Sequence, residues 1–174
     1  MVNNEVKHIG TIAPDLFKDK VLIIDYPNKR ICITTKIPKK FKKASFLPYK
    51  EKNGRIMIPL TIDNKQEYLM FDTGSSLFAL FTTKDKANEI SNDKIIDSIK
   101  TSTWGEHYFV YGKSLKTDVK FGDKVLDKNN VYYDPKNRFA NLFKEEEIWG
   151  LTGNAYFFNN ILIIDYKNKL FGVQ

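Results

Sequence analysis

Apolar residues in this chain come in short runs, cut by Gly, Pro, Asn and Asp, and the runs have the length and spacing of strands. Residues 54–62 (Gly54-Arg55-Ile56-Met57-Ile58-Pro59-Leu60-Thr61-Ile62) partly alternate, as a half-buried strand does, and Pro59 predicts an edge position or a bulge. Asp63-Asn64-Lys65 reads as a hairpin turn, with Gln66 to Asp72 as the partner strand. Thr101 to Gly112 reads as a hairpin with the aromatic-glycine tip Trp104-Gly105. Thr117 to Phe121 is a strand that turns at Gly122-Asp123-Lys124, and Asn130 to Tyr133 is a short strand ended by Asp134-Pro135. Two short helices are expected: Lys84 to Ile90, capped by Thr82 or Thr83, and Phe139 to Glu146. Asn92 to Lys100 gives no clear period, and residues 34–53, rich in Lys and Pro, read as an irregular surface connection. The class is all-β.

The two ends of the chain repeat each other. Gly10 to Lys29 aligns with Gly150 to Lys169 at a constant offset of 140, with nine identities that include the block Leu-Ile-Ile-Asp-Tyr. Each copy reads as a Gly turn, a short bent or helical segment, a buried strand (Val21 to Ile24, Ile161 to Ile164), a tight turn and a return strand. Asp25 and Asp165 are expected to accept turn hydrogen bonds and to have no catalytic part. Residues 1–34 therefore read as the tail of a preceding lobe, either truncated or degenerate. Residues 35–53 are the connection and 54–174 the second lobe.

Composition narrows the function. The 174 residues are 42% hydrophobic and 14% aromatic, which fits a globular domain. Net charge is +7, but only Arg30, Arg55 and Arg138 among the 28 basic residues are Arg, and no nucleic-acid motif is present, so no nucleic-acid partner is expected. One cysteine, Cys32, and two histidines, His8 and His107, predict no metal and no cofactor. No apolar run approaches the ~18 residues of a membrane span, and the first residues do not form a secretory leader. That leaves two options for location: the cytoplasm, or export with the leader removed.

The chemistry concentrates at Tyr68-Leu69-Met70-Phe71-Asp72-Thr73-Gly74-Ser75-Ser76-Leu77-Phe78. An apolar strand delivers one carboxylate to a turn of hydroxyl and Gly residues. Taken alone, this is equally well an Asp-capped turn. In order along the chain, the entry hairpin, Asp72-Thr73-Gly74-Ser75-Ser76, the Trp104-Gly105 hairpin, Val119-Lys120-Phe121-Gly122-Asp123, Val131-Tyr132-Tyr133, Ile148-Trp149-Gly150 and the closing hairpin resemble one lobe of a pepsin- or retropepsin-like aspartic protease of bacterial type. The resemblance implies an acid-protease-like closed barrel lobe of six to seven strands, with the N-terminal hairpin added. It implies an endopeptidase that hydrolyses peptide bonds with water held between two carboxylates. Asp72 would be one of them. Thr73 would bridge to its counterpart, Gly74 would let the backbone come close, and Ser75 would hydrogen-bond the carboxylate. Trp104-Gly105 would be the flap over a peptide or protein substrate, and Ile148-Trp149-Gly150 would lie beside the Asp72 loop. The chain holds one Asp-Thr-Gly, and Asp15 aligns with Ala155, not with Asp72. The second carboxylate would come from another lobe or from a homodimer partner. The alternative is a catalytically inactive peptide-binding or scaffold domain on the same fold. A plain structural β-domain predicts Asp72 far from any groove and Ile148-Trp149-Gly150 remote from it.

Overall fold

The computed structural model describes residues 12–103, 106–127 and 130–174. In chain order the elements are β1 (Val21–Asp25), β2 (Arg30–Thr34), β3 (Ser45–Pro48), β4 (Lys50–Lys52), β5 (Arg55–Ile62), β6 (Lys65–Phe71), β7 (Leu80–Thr82), α1 (Lys84–Ile90), β8 (Ser91–Thr103), β9 (Glu106–Leu115), β10 (Val119–Phe121), β11 (Lys124–Val125), β12 (Asn130–Tyr133), α2 (Ala140–Glu145), β13 (Gly150–Thr152), β14 (Ile161–Asp165) and β15 (Leu170–Val173). Short 3-10 turns at Pro14–Phe17 and Asn154–Tyr156 precede the two repeated hairpins.

The strands form two sheets. The smaller has the order β2-β1-β14-β15-β3, so the N-terminal hairpin and the closing hairpin are neighbours. The larger runs β11-β10-β5-β6-β13-β7-β12-β9-β8, with β4 added against β5. This is an all-β architecture with two short helices among the described residues. The large sheet has ten strands, more than the six or seven expected, and neither sheet closes on itself there. The extra members, β4, β7, β11 and β13, are two or three residues long. A strand that short shows no period in sequence.

Local chemistry explains the elements. Asp63 and Asn64 both have positive φ (48° and 61°), as a two-residue hairpin turn between β5 and β6 requires. Pro59 faces Tyr68 on the β6 side. On the other side of β5, β4 pairs at 55–57 and β10 at 61–62, so Pro59 falls in the unpaired gap between them. Thr83 caps α1 by accepting from the Lys86 amide at 3.4 Å. Thr83→Ala should destabilise the protein by about 1 kcal/mol, read as a shift in the denaturation midpoint at unchanged slope. Residues 92–100, unassigned from sequence, belong to the long strand β8, whose register shifts between Ser91 and Asp97 blur the alternation. The connection is also less irregular than expected. It supplies β3 and β4, and its Phe41 packs on Val21, Ile23 and Ile163 of the small sheet.

One core joins the sheets. Leu22, Leu162, Ile164, Phe171 and Val173 from the small sheet pack with Ile58, Leu60, Leu69, Phe71 and Phe121 from the large one. Phe71, Phe157 and Phe171 form a triangle of rings with centroids 5.0–5.9 Å apart. Phe71 is thus wedged into the core immediately before Asp72.

Candidate active site

β6 ends at Phe71, and Asp72 emerges from the core into an exposed turn. The Asp72 amide donates to the Thr152 carbonyl at 3.0 Å, and the Ser75 amide donates to the Asp72 carbonyl at 3.0 Å. The Gly74 amide donates to Asp72 Oδ1 at 2.8 Å, so a backbone dipole fixes the carboxylate. A Cβ at position 74 would lie 3.1 Å from that oxygen, so a side chain there would press on the carboxylate. Thr73 and Gly74 are exposed and Ser75 is half-buried.

β13 clamps the loop from behind. It lies between β6, in parallel pairing, and β7, in antiparallel pairing. Its position follows from Ile148-Trp149-Gly150. The Trp149 amide donates to the Tyr68 carbonyl at 2.8 Å, and its carbonyl accepts from Thr82 Oγ1 at 2.7 Å and from Lys86 Nζ at 3.1 Å. Burial pushes the Lys86 ammonium below its usual range. Gly150 passes so close to β7 that a Cβ would lie 2.3 Å from the Phe81 carbonyl oxygen. Three residues on, Gly153 is tighter still, with a Cβ position 1.5 Å from the Ser75 carbonyl oxygen.

Sequence reasoning missed Thr152, Asn154 and Tyr26. The Asn154 amide donates to the Thr73 carbonyl at 2.7 Å and to Ser76 Oγ at 3.0 Å, which bridges the two ends of the turn. Ser76 Oγ also donates to the Thr73 carbonyl. Tyr26, from the N-terminal hairpin, donates its hydroxyl to Asn154 Oδ1. The signal available was the repeat itself, since Asn154 stands where the other copy has Pro14, which cannot make these contacts. Burial pushes the Tyr26 hydroxyl up to about 12. The unfolded group ionises near about 10, so its contribution to stability is complete below pH ~10 and is lost as pH rises toward 12. Tyr26→Phe should lower the alkaline loss of stability by one proton in that window, read from denaturation midpoints between pH 9 and 12.

Asp72 opens into a cleft of about 770 Å³. Its floor is the Asp72–Phe78 loop. One wall is Thr101, Ser102 and Tyr108 of the β8–β9 hairpin, and the other is the segment Ile12–Pro14 with Phe17. Phe78, Phe81 and Tyr108 make part of the lining apolar. Asp72 is the sole carboxylate among the described residues of the lining. Arg55, also in the lining, is paired with the buried Glu146. The hairpin is paired up to Thr103 opposite Glu106, and its expected tip, Trp104-Gly105, lies outside the described residues. Asp25 and Asp165 accept hydrogen bonds within their own turns, from Asn28 and from Lys167 and Asn168 respectively.

No protein-family model and no curated protein sequence matches the chain. The structure is similar to that of a retropepsin-like aspartic protease from Rickettsia conorii, with a TM-score of 0.50 over 75% of this chain and 94% of that one, at 18% identity. The fold is retropepsin-like. Within a retropepsin-like fold, the elements that sequence placed together do lie together: Ile148-Trp149-Gly150 leads into the strand that holds the Asp72 loop, and Asp72 lines the cleft. The geometry of a plain structural β-domain, with Asp72 remote from any groove, is not what is found.

Proposed function

We propose that Asp72 is one carboxylate of an aspartic peptidase site that hydrolyses peptide bonds. The observation that carries this reading is the exposed carboxylate at the floor of the 770 Å³ cleft, on a loop fixed by β13. An extended peptide would lie between the Asp72 loop and the β8–β9 hairpin, with Trp104-Gly105 as the flap over it. Asp72 would act with a second carboxylate across a bound water. One carboxylate takes a proton from the water as it attacks the carbonyl carbon, and the other, protonated, gives its proton to the carbonyl oxygen. Two carboxylates at that distance hold one proton between them, since both cannot ionise side by side. Thr73, Gly74 and Ser75 support this pair by fixing the turn.

The second carboxylate is the missing half. It would come from another lobe or another chain, in keeping with the dimers that retropepsins form. If the second carboxylate lies in another lobe of a longer polypeptide, the 174-residue chain alone should cleave nothing. The test is digestion of a mixed peptide library between acid and neutral pH by the longest natural polypeptide that contains this chain, analysed by mass spectrometry. Turnover that survives Asp72→Asn would overturn the reading.

A further inference from the structure

The net charge of +7 comes from one stretch of the chain. Residues 26–49 hold Lys29 and Arg30 at the turn of the N-terminal hairpin, and Lys36, Lys39, Lys40, Lys42 and Lys43 in the connection, with no Asp or Glu among them. The rest of the chain is balanced, so these seven residues account for the whole excess. All seven are exposed, and among the described residues none of them forms an ion pair.

The fold gathers them on one face. Leu22 and Ile164 turn to the large sheet and line the cleft, while Val21, Ile23 and Ile163 turn the other way. The connection covers that other face. Its Phe41 is seated on Val21, Ile23 and Ile163, with Ile37 and Ala44 packed beside it. The turn that carries Phe41 is closed by backbone hydrogen bonds from Phe41 to Pro38, from Lys42 to Lys39 and from Ala44 to Phe41. With the apolar residues turned inward, the lysines between them are left on the outside, and Lys40 Nζ lies 4.7 Å from the centre of the Phe41 ring. Arg30 joins them. It stands two positions before Cys32, which is opposite Ile23, so it shares the face of Ile23. Asp25 and Asp165 are on this face too, but their carboxylates accept from Asn28 and Asn168 in their own turns.

We infer that this lysine layer docks the protein on an anionic phospholipid bilayer, with the Asp72 cleft turned away from the lipid. A bilayer surface is a diffuse sheet of negative charge, and clusters of about four to eight basic residues are what it attracts. Six of the seven residues here are Lys, a point charge on a flexible stem, and one is Arg, whose fork reads phosphate and base edges. Single-stranded nucleic acid also asks for exposed rings on which bases stack. The rings of this stretch do not offer that: Phe41 and Tyr49 are buried, and Tyr26 and Phe46 are half-buried. A protein partner calls for apolar anchors at the centre of its footprint, and no large apolar side chain of residues 35–49 is exposed. A peptide bound in the cleft lies across the small sheet from the lysines, so the layer is not an extension of the cleft. With nothing apolar to insert, the docking is electrostatic and salt reverses it. None of this depends on the reading of Asp72.

The test is co-sedimentation of the 174-residue chain with vesicles of phosphatidylcholine alone, or of phosphatidylcholine with about 30% phosphatidylglycerol. The expected result is binding to the anionic vesicles alone at about 0.1 M salt, and release at about 0.5 M. Lys39→Glu with Lys40→Glu, Lys42→Glu and Lys43→Glu should weaken binding on the order of 100-fold or more. Lys65→Glu with Lys94→Glu, Lys100→Glu and Lys136→Glu makes the same change in net charge on exposed lysines elsewhere, and should weaken it less than about tenfold. Gln in place of Glu at all eight positions should keep this order with a smaller spread, and serves if a reversed set fails to fold. On the vesicles, acetylation by a water-soluble reagent should slow at Lys39, Lys40, Lys42 and Lys43 and stay unchanged at Lys65 and Lys144. Binding to neither kind of vesicle overturns the inference. So does an equal loss in the two sets of variants, or equal protection of the two sets of lysines. Retention by polyglutamate or polyuridylate, with no binding to the vesicles, also overturns it and points to an acidic protein or a nucleic acid instead.

Discussion

Asp72→Asn, placed in the form of the protein that supplies the second carboxylate, should lower kcat for peptide cleavage by about 10²–10⁴-fold with little change in KM. The reason is chemical, not structural. An amide cannot take the proton of the attacking water or share a proton with the opposite carboxylate. Its oxygen still accepts from the Gly74 amide, the contact that fixes the wild-type carboxylate. Asp72 is exposed, so the substitution should move stability by no more than about 0.5 kcal/mol. The two readouts separate the roles: turnover falls and the thermal midpoint stays. A fall in the midpoint together with activity would mean that Asp72 is a turn cap and no more.

Gly153→Ala should act in the opposite way, through the frame. The backbone of Gly153 is extended (φ −122°), a conformation open to any residue, so the demand for Gly is one of space. A methyl group would lie 1.5 Å from the Ser75 carbonyl oxygen, and that oxygen is backbone, with no rotamer to yield. Either the Asp72 turn moves outward or β13 moves back, and β13 is bound on both sides by β6 and β7. A loss of about 3 kcal/mol is expected, at the upper end of overpacking costs. For a domain of this size it corresponds to a fall in Tm of roughly 10 °C. Calorimetry of the 174-residue chain checks it without any need for activity. An unchanged Tm would show that the turn is not held against Gly153.

What could be read in the sequence was what has a period or a signature. The β5–β6 hairpin, α1 with its Thr83 cap, both repeated hairpins and the Asp72 loop were legible, because each joins an apolar run to a turn or cap of known chemistry. The short strands β4, β7, β11 and β13 were not, because two or three residues cannot show alternation. β3 and β4 were further hidden under Lys and Pro, whose surface signal masked the buried Phe41 and Tyr49. At the site, the turn was legible and its supports were not. Asn154 and Tyr26 are 82 and 46 positions from Asp72 in the chain, and only the fold brings them to the loop. Thr152 acts through its carbonyl, which every residue has.

The pairing of β1 with β14 also sets the order in which the molecule can be built. Val21 must wait for Asp165, so the central pair of the small sheet forms only after some 140 further residues have left the ribosome. At 5–20 residues per second that is roughly 10–30 s. Throughout this time the strand Val21-Leu22-Ile23-Ile24 has β2 on one side and no partner on the other. Contacts of such long range are slow to form even in the complete chain. The nascent hairpin thus waits with one edge of β1 unpaired until the closing hairpin is released.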